Sequence, residues 1–101
     1  MKKDSLEIPH SRIHLLITGR VQNVGFRSFV QKEAVSLSIT GWVRNVNLKK
    51  VEVMAEGGKT SLDEFINILK VGPRGSRVDD LSLTWGNYSG EFSGFSIRTS
   101  Q

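Results

Sequence analysis

The sequence predicts an α+β fold of the ferredoxin-like type: a βαββαβ sandwich whose antiparallel sheet carries two helices on one face and a short extra C-terminal strand. Three observations carry this expectation. Apolar residues alternate with a period of two in several short segments, they recur at helical spacing in two others, and the two kinds follow one another in the order strand, helix, strand, strand, helix, strand. A chain of 101 residues is sized for one core. Residues 11–101 are therefore expected to form one domain, behind a polar tail at residues 1–10.

Each element has its own justification. In Arg12 to Thr18, RIHLLIT, Ile13, Leu15 and Ile17 share one face, which predicts a central strand ending at Gly19. From Phe26 the period changes: Phe26, Phe29, Val30, Ala34 and Leu37 recur at helical spacing. That predicts a helix of about three turns, ending before Gly41 because Ser38, Ile39 and Thr40 suit a helix poorly. Trp42 to Val46 and Val51 to Glu56 read as strands joined in a hairpin, the second placing Val51, Val53 and Ala55 against Glu52, Met54 and Glu56.

Leu62, Phe65, Ile66 and Leu69 predict a second helix over Thr60 to Lys70, with Ser61 and Glu64 as a capping box and Gly72-Pro73 as its stop. Val78 to Trp85 alternates again, Phe92 to Arg98 repeats the pattern, and GNYSGE between them reads as a polar turn.

Composition narrows the function. With no cysteine, disulfides, thiolate catalysis and cysteine-ligated metal centres are excluded. The N-terminal stretch MKKDSLEIPHSR places Asp4, Ser5 and Glu7 where a signal peptide needs an apolar run, and no apolar run approaches the roughly 20 residues that span a bilayer. A cytoplasmic protein without membrane association is expected. The formal charge of +4 favours anionic partners without choosing among them.

The stretch GRVQNVGFR, Gly19 to Arg27, joins the first strand to the first helix and holds no acidic residue. Backbone N–H groups at a helix start lack intrahelical partners, and the helix dipole adds positive potential there, so this is a ready anion site. Arg27 stands in a first turn that ordinarily favours Asp or Glu, which an anion would resolve. Read alone, Arg27 is equally well a surface arginine screened by water. A nucleotide-binding P-loop does not fit: five residues, not four, separate Gly19 from Gly25, and Phe26 and Arg27 stand where Lys and Ser/Thr belong.

Other chemistry finds little support. His10 and His14 read as structural or surface residues, no GxSxG elbow is present, and Asp79 and Asp80, adjacent on a strand, point to opposite faces and make no metal pair. Trp42 and Trp85 read as core or sheet packing.

GRVQNVGFR followed by GWVRN, Gly41 to Asn45, resembles the paired signature of the acylphosphatases. The likeness extends through VEVMAEG, GPR and FSIR, from about Ile13 to Arg98. The resemblance implies an enzyme that hydrolyses acyl phosphates to a carboxylate and inorganic phosphate, with no metal and no organic cofactor. It implies Arg27 and Asn45 as catalytic residues and Gln22, Asn23, Val24, Gly25 and Phe26 as the phosphate cradle. The implied partners are a small acyl phosphate and its phosphate product rather than nucleic acid, and the protein is expected to act as a monomer.

Two positions depart from the family pattern. Asn23 stands where glycine is common, and Leu48-Lys49 replaces the usual Asp-Gly of the hairpin turn, which predicts a turn of different shape and an activity altered rather than absent. The alternative is a non-catalytic module of the same fold that binds a phosphate ligand or RNA; an RNP1-like aromatic pattern has no match in VEVMAEG.

Overall fold

The alternating segment that starts the domain becomes the strand the rest of the sheet is built on. In a computed structural model of the protein, which describes residues 9–100, β1 (His10–Arg20) lies between β4 (Arg77–Asn87) and β3 (Lys50–Gly58), antiparallel to both. Ile13, Leu15 and Ile17 lie opposite Ala55, Val53 and Val51, and directly opposed residues share a face. That common face is the buried one. β2 (Thr40–Val46) pairs with β3, and β5 (Phe95–Ile97) adds to β2 in parallel, giving the order β4-β1-β3-β2-β5.

Two helices cover this face. From α1 (Phe26–Ser36) come Phe26, Val30 and Ala34; from α2 (Lys59–Val71) come Leu62, Phe65, Ile66 and Leu69. Each large side chain so buried contributes about 1.5–3 kcal/mol of transfer free energy. Phe65 meets Phe95 edge to face at 6.3 Å, which ties α2 to the strand farthest along the chain.

Several boundaries differ from expectation. Residues 1–8 of the expected tail lie outside the described residues, whereas His10 already pairs with Gly58 and belongs to β1. β1 does not stop at Gly19. It continues through a bulge in which Thr18 opposes Asp80 and Gly19 opposes Val78. The backbone crosses Arg77 so closely there that a Cβ on Gly19 would lie 2.1 Å from the Arg77 carbonyl oxygen, at a φ of +142°. The Ser61–Glu64 capping box is not formed. α2 begins at Lys59 on an extended Gly58 without a side-chain cap, because the chain leaves β3 directly into the helix and Ser61 is already in its first turn. Gly72 ends it as expected, donating its N–H to Ile68.

The largest difference concerns the C-terminal region. Gly86 and Asn87 are still in β4, and only Phe95–Ile97 of the expected Phe92–Arg98 strand pairs with the sheet. The reason is topological. β4 and β5 occupy opposite edges, so residues 88–94 must cross the ends of three strands, about 19 Å at the usual strand spacing. Seven extended residues can span this but cannot also form a ladder with either neighbour.

This crossing is fastened by one buried acid, Glu56, which is 1 % exposed. Its carboxylate accepts from the Arg12 Nε at 2.6 Å, from the Ser89 N–H at 3.0 Å and Oγ at 2.9 Å, and from the Gly90 N–H at 3.0 Å. Arg12 also pairs with Glu91. Burial pushes the Glu56 carboxyl up, but these donors outweigh it and hold it below the ordinary carboxylate range. A buried charge satisfied in this way sets the path of the loop that delivers β5 to β2.

Candidate active site

The chain turns from β1 into α1 through Val21 to Gly25, and two residues take left-handed backbone angles to make the turn: Asn23 at φ 63° and Gly25 at φ 74°. Asparagine is among the few side chains that occupy this region readily, so the residue that departs from the family pattern meets the conformation its position requires. Gly25 is the N-cap of α1. It provides no side-chain cap, and the first turn contains no acidic residue. Phe29 donates to the Gly25 carbonyl at 3.0 Å, so the helix's own hydrogen bonding starts there. The N–H groups before it are the unpaired donors that every α-helix leaves at its start.

These donors border a pocket of about 180 Å³. Gln22, Asn23, Gly25, Phe26, Arg27 and Ser28 line one side; Asn45 and Ile97 stand on the other. Arg27 is the one charged residue of the lining. The Val24 side chain packs against the core and not into the pocket. Asn45 belongs to β2, opposite Val51, and its side-chain Oδ1 is buried with no hydrogen-bond partner among the described residues. An unmet acceptor of this kind costs about 1–3 kcal/mol in a fold that does not use it. The pocket therefore sets a row of donors and a guanidinium across from Asn45, a residue with one unmet acceptor.

Gln22 is held differently from its neighbours. Its Nε2 reaches the carbonyl oxygens of Lys50 at 2.9 Å, Asn47 at 3.3 Å and Val46 at 3.4 Å. The hairpin turn Asn47-Leu48-Lys49 is the three-residue connection beneath this amide, with Asn47 at φ 58° taking the left-handed position.

The remaining polar residues lie elsewhere. Arg44, next to Asn45, points to the helix-free face and bonds Glu52 at 2.7 Å, where His14 Nε2 also lies at 2.6 Å. Burial raises the Glu52 carboxyl, but the hydrogen bonds with His14 and Arg44 outweigh it and leave it below its ordinary value. His10 lies at the opposite end of β1, edge-on to Tyr88 at 5.1 Å. Neither histidine lines the pocket. Trp42 packs on the sheet at 8 % exposure between the guanidinia of Arg44 and Arg98, whereas Trp85, 40 % exposed on the edge strand, is not core and meets the Lys59 ammonium at 4.9 Å. Among the described residues no three His, Asp or Glu side chains converge as a metal site requires, and no helix is long and apolar enough to cross a membrane.

The Acylphosphatase family model matches residues 13–97, which includes both walls of this pocket. The chain belongs to the acylphosphatase family. It is 41% identical over 87 residues to an acylphosphatase of Salinibacter ruber, a match covering 86% of this chain and 92% of that one. With an acylphosphatase of Caldanaerobacter subterraneus it shares 45% identity over 85 residues, covering 84% and 94%. The crystal structure of acylphosphatase from Bacillus subtilis superposes with a TM-score of 0.84 at 39% identity, over 87% of this chain and 98% of that chain. This acylphosphatase is thus a hydrolase on a ferredoxin-like scaffold with an added parallel strand.

Within that scaffold, Val21, Ser28 and Ile97 are pocket residues that sequence patterns did not point to. Ser28 falls in the first turn of α1, where its position alone is the signal. Ile97 becomes visible only once β5 is known to pair with β2, since it lies opposite Val43 and on the same face as Asn45.

Proposed function

We propose that the protein hydrolyses the carboxyl–phosphate bond of acyl phosphates, with the phosphoryl group held by the loop N–H groups of Gln22 to Phe26 and by Arg27, and the attacking water oriented by Asn45. The observation that supports this best is the pairing of an uncapped helix start bearing Arg27 with Asn45, whose Oδ1 has no hydrogen-bond partner among the described residues, across one small pocket.

The chemistry needs little else. An acyl phosphate is a mixed anhydride whose leaving group is a carboxylate of pKa about 4, so it departs as an anion without a general acid. Charge on the three equatorial phosphoryl oxygens is what must be stabilised during transfer, and fixed N–H dipoles with one guanidinium fork suit that geometry. The water oxygen forms the new bond to phosphorus, the carboxylate leaves with the electron pair of the broken one, and the water's proton passes to a phosphoryl oxygen. The Asn45 side-chain amide, hydrogen-bonded to the water, supplies the orientation that makes the attack effectively intramolecular.

Phosphate release from acetyl phosphate tests the reading. Arg27→Ala and Asn45→Ala are each expected to lower turnover at least about 100-fold, the loss typical of one essential transition-state contact. Arg27→Ala should also weaken competitive inhibition by inorganic phosphate, and Asn45→Ala should leave it nearly unchanged. Wild-type rates in both variants would refute the assignment.

A further inference from the structure

The loop that carries the pocket's donors and the strand that carries Asn45 belong to different parts of the chain, and one side chain joins them. Among the described residues, Gln22 is the only member of the stretch Val21 to Gly25 whose side chain is hydrogen-bonded. Its three acceptors are all on the β2–β3 hairpin, beginning with Val46, the residue after Asn45. The orientation of the amide is unambiguous: three carbonyl oxygens face it, so the NH₂ end must point inward. The loop has one other mooring to the same turn, at its start, where the Gly19 N–H donates to the Lys49 carbonyl at 3.2 Å. Among the described residues, no other hydrogen bond joins the segment from Arg20 to Gly25 to the hairpin.

We infer that the Gln22 side chain is a positioning residue that fixes the separation between the phosphate-holding loop and Asn45, and that it acts on the water's placement and not on phosphate affinity. This rests on the pocket reading proposed above. The groups that would hold phosphate are the loop N–H donors and Arg27; all lie on the Gln22 side of the pocket and move together with the helix start. Loss of the Gln22 tie leaves that half intact as a unit. What changes is where Asn45 stands relative to it, and a displacement of about 1 Å in a reacting group can cost on the order of 100-fold in rate.

The distinction is measurable as a split between turnover and binding. Gln22→Met keeps the stem and removes both donors; Gln22→Glu places an acceptor against three carbonyl oxygens. With acetyl phosphate as substrate, both are expected to lower kcat about 10- to 100-fold, while the inhibition constant of inorganic phosphate stays within about 3-fold. Because Gln22 acts through Asn45, adding Gln22→Met to Asn45→Ala should cost no more than about 3-fold further. Circular dichroism establishes that each variant is folded, and if one is not, the other carries the test. Wild-type kcat in a folded variant, a loss that appears in the phosphate inhibition constant, or losses that multiply in the double variant would each overturn the inference. Full turnover in Asn45→Ala alone would instead remove the pocket reading beneath it, which separates the two failures.

Discussion

Replacing Glu56 by glutamine removes the charge that anchors the crossing from β4 to β5 while keeping the side-chain shape. Four donor contacts converge on the carboxylate, one of them from a guanidinium. Glutamine retains a single acceptor oxygen and presents an NH₂ group to the remaining donors: with the oxygen at the Oε2 position the Gly90 contact is lost, with it at Oε1 the other three are, and in either case donor meets donor. Breaking a buried pair by removing one partner costs about 3–5 kcal/mol. The Arg12 side chain is 24% exposed and recovers water when released, which brings the expected loss to the lower end, about 3 kcal/mol. For a domain of this size that corresponds to a fall in Tm of roughly 12–24 °C. Urea unfolding followed by circular dichroism should show a lower midpoint at an unchanged slope, and hydrogen exchange should locate the first loss of protection in residues 88–94. A change below about 0.5 kcal/mol would show that the carboxylate network does not hold the crossing.

Three further outcomes follow from particular contacts. Glu52 and Glu56 both titrate below the ordinary carboxylate range in the folded protein. The stability they contribute is therefore fully present above the unfolded value of about 4.3 and is lost as pH falls through the folded values; urea midpoints should drop as the pH is lowered below about 4.3, with a shallower drop in Glu56→Gln. Gly19→Ala should destabilise by about 2 kcal/mol or more, since the added methyl meets the Arg77 carbonyl at a left-handed φ, and an unchanged thermal midpoint would contradict the close crossing. At Asn23, glycine should be nearly neutral for stability while valine should cost about 1–2 kcal/mol and weaken phosphate inhibition, because only the β-branched residue resists φ 63°. Equal behaviour of the two variants would dissociate the loop angle from the cradle.

The fold was legible because it rests on periodicity. Ile13-Leu15-Ile17 and Val51-Val53-Ala55 can bury one face only as strands, and Leu62, Phe65, Ile66 and Leu69 only as a helix. The loop was legible for a related reason, since glycine and asparagine advertise left-handed positions in the residues themselves. Capping was less so: Ser61 and Glu64 carry the right spacing, but the helix began two residues earlier because β3 feeds it without a turn. Glu56 sat in an alternating pattern as a solvent-facing acid and is buried by a loop more than 30 residues away in sequence. Local patterns carry no information about such a cover.

By itself, then, the sequence determined the order of elements, the face each one buries and the composition of the β1–α1 loop, all properties of side chains a few residues apart. Tertiary structure alone decided three things. It sent the chain from β4 across the sheet to pair β5 in parallel with β2, it set Ile97 beside Asn45 on the pocket's second wall, and it committed the Gln22 amide to the hairpin. The physical reason is common to all three. Each depends on which strands become neighbours, and that choice is made by burial and hydrogen-bond satisfaction over the whole sheet, not by any segment's own preference.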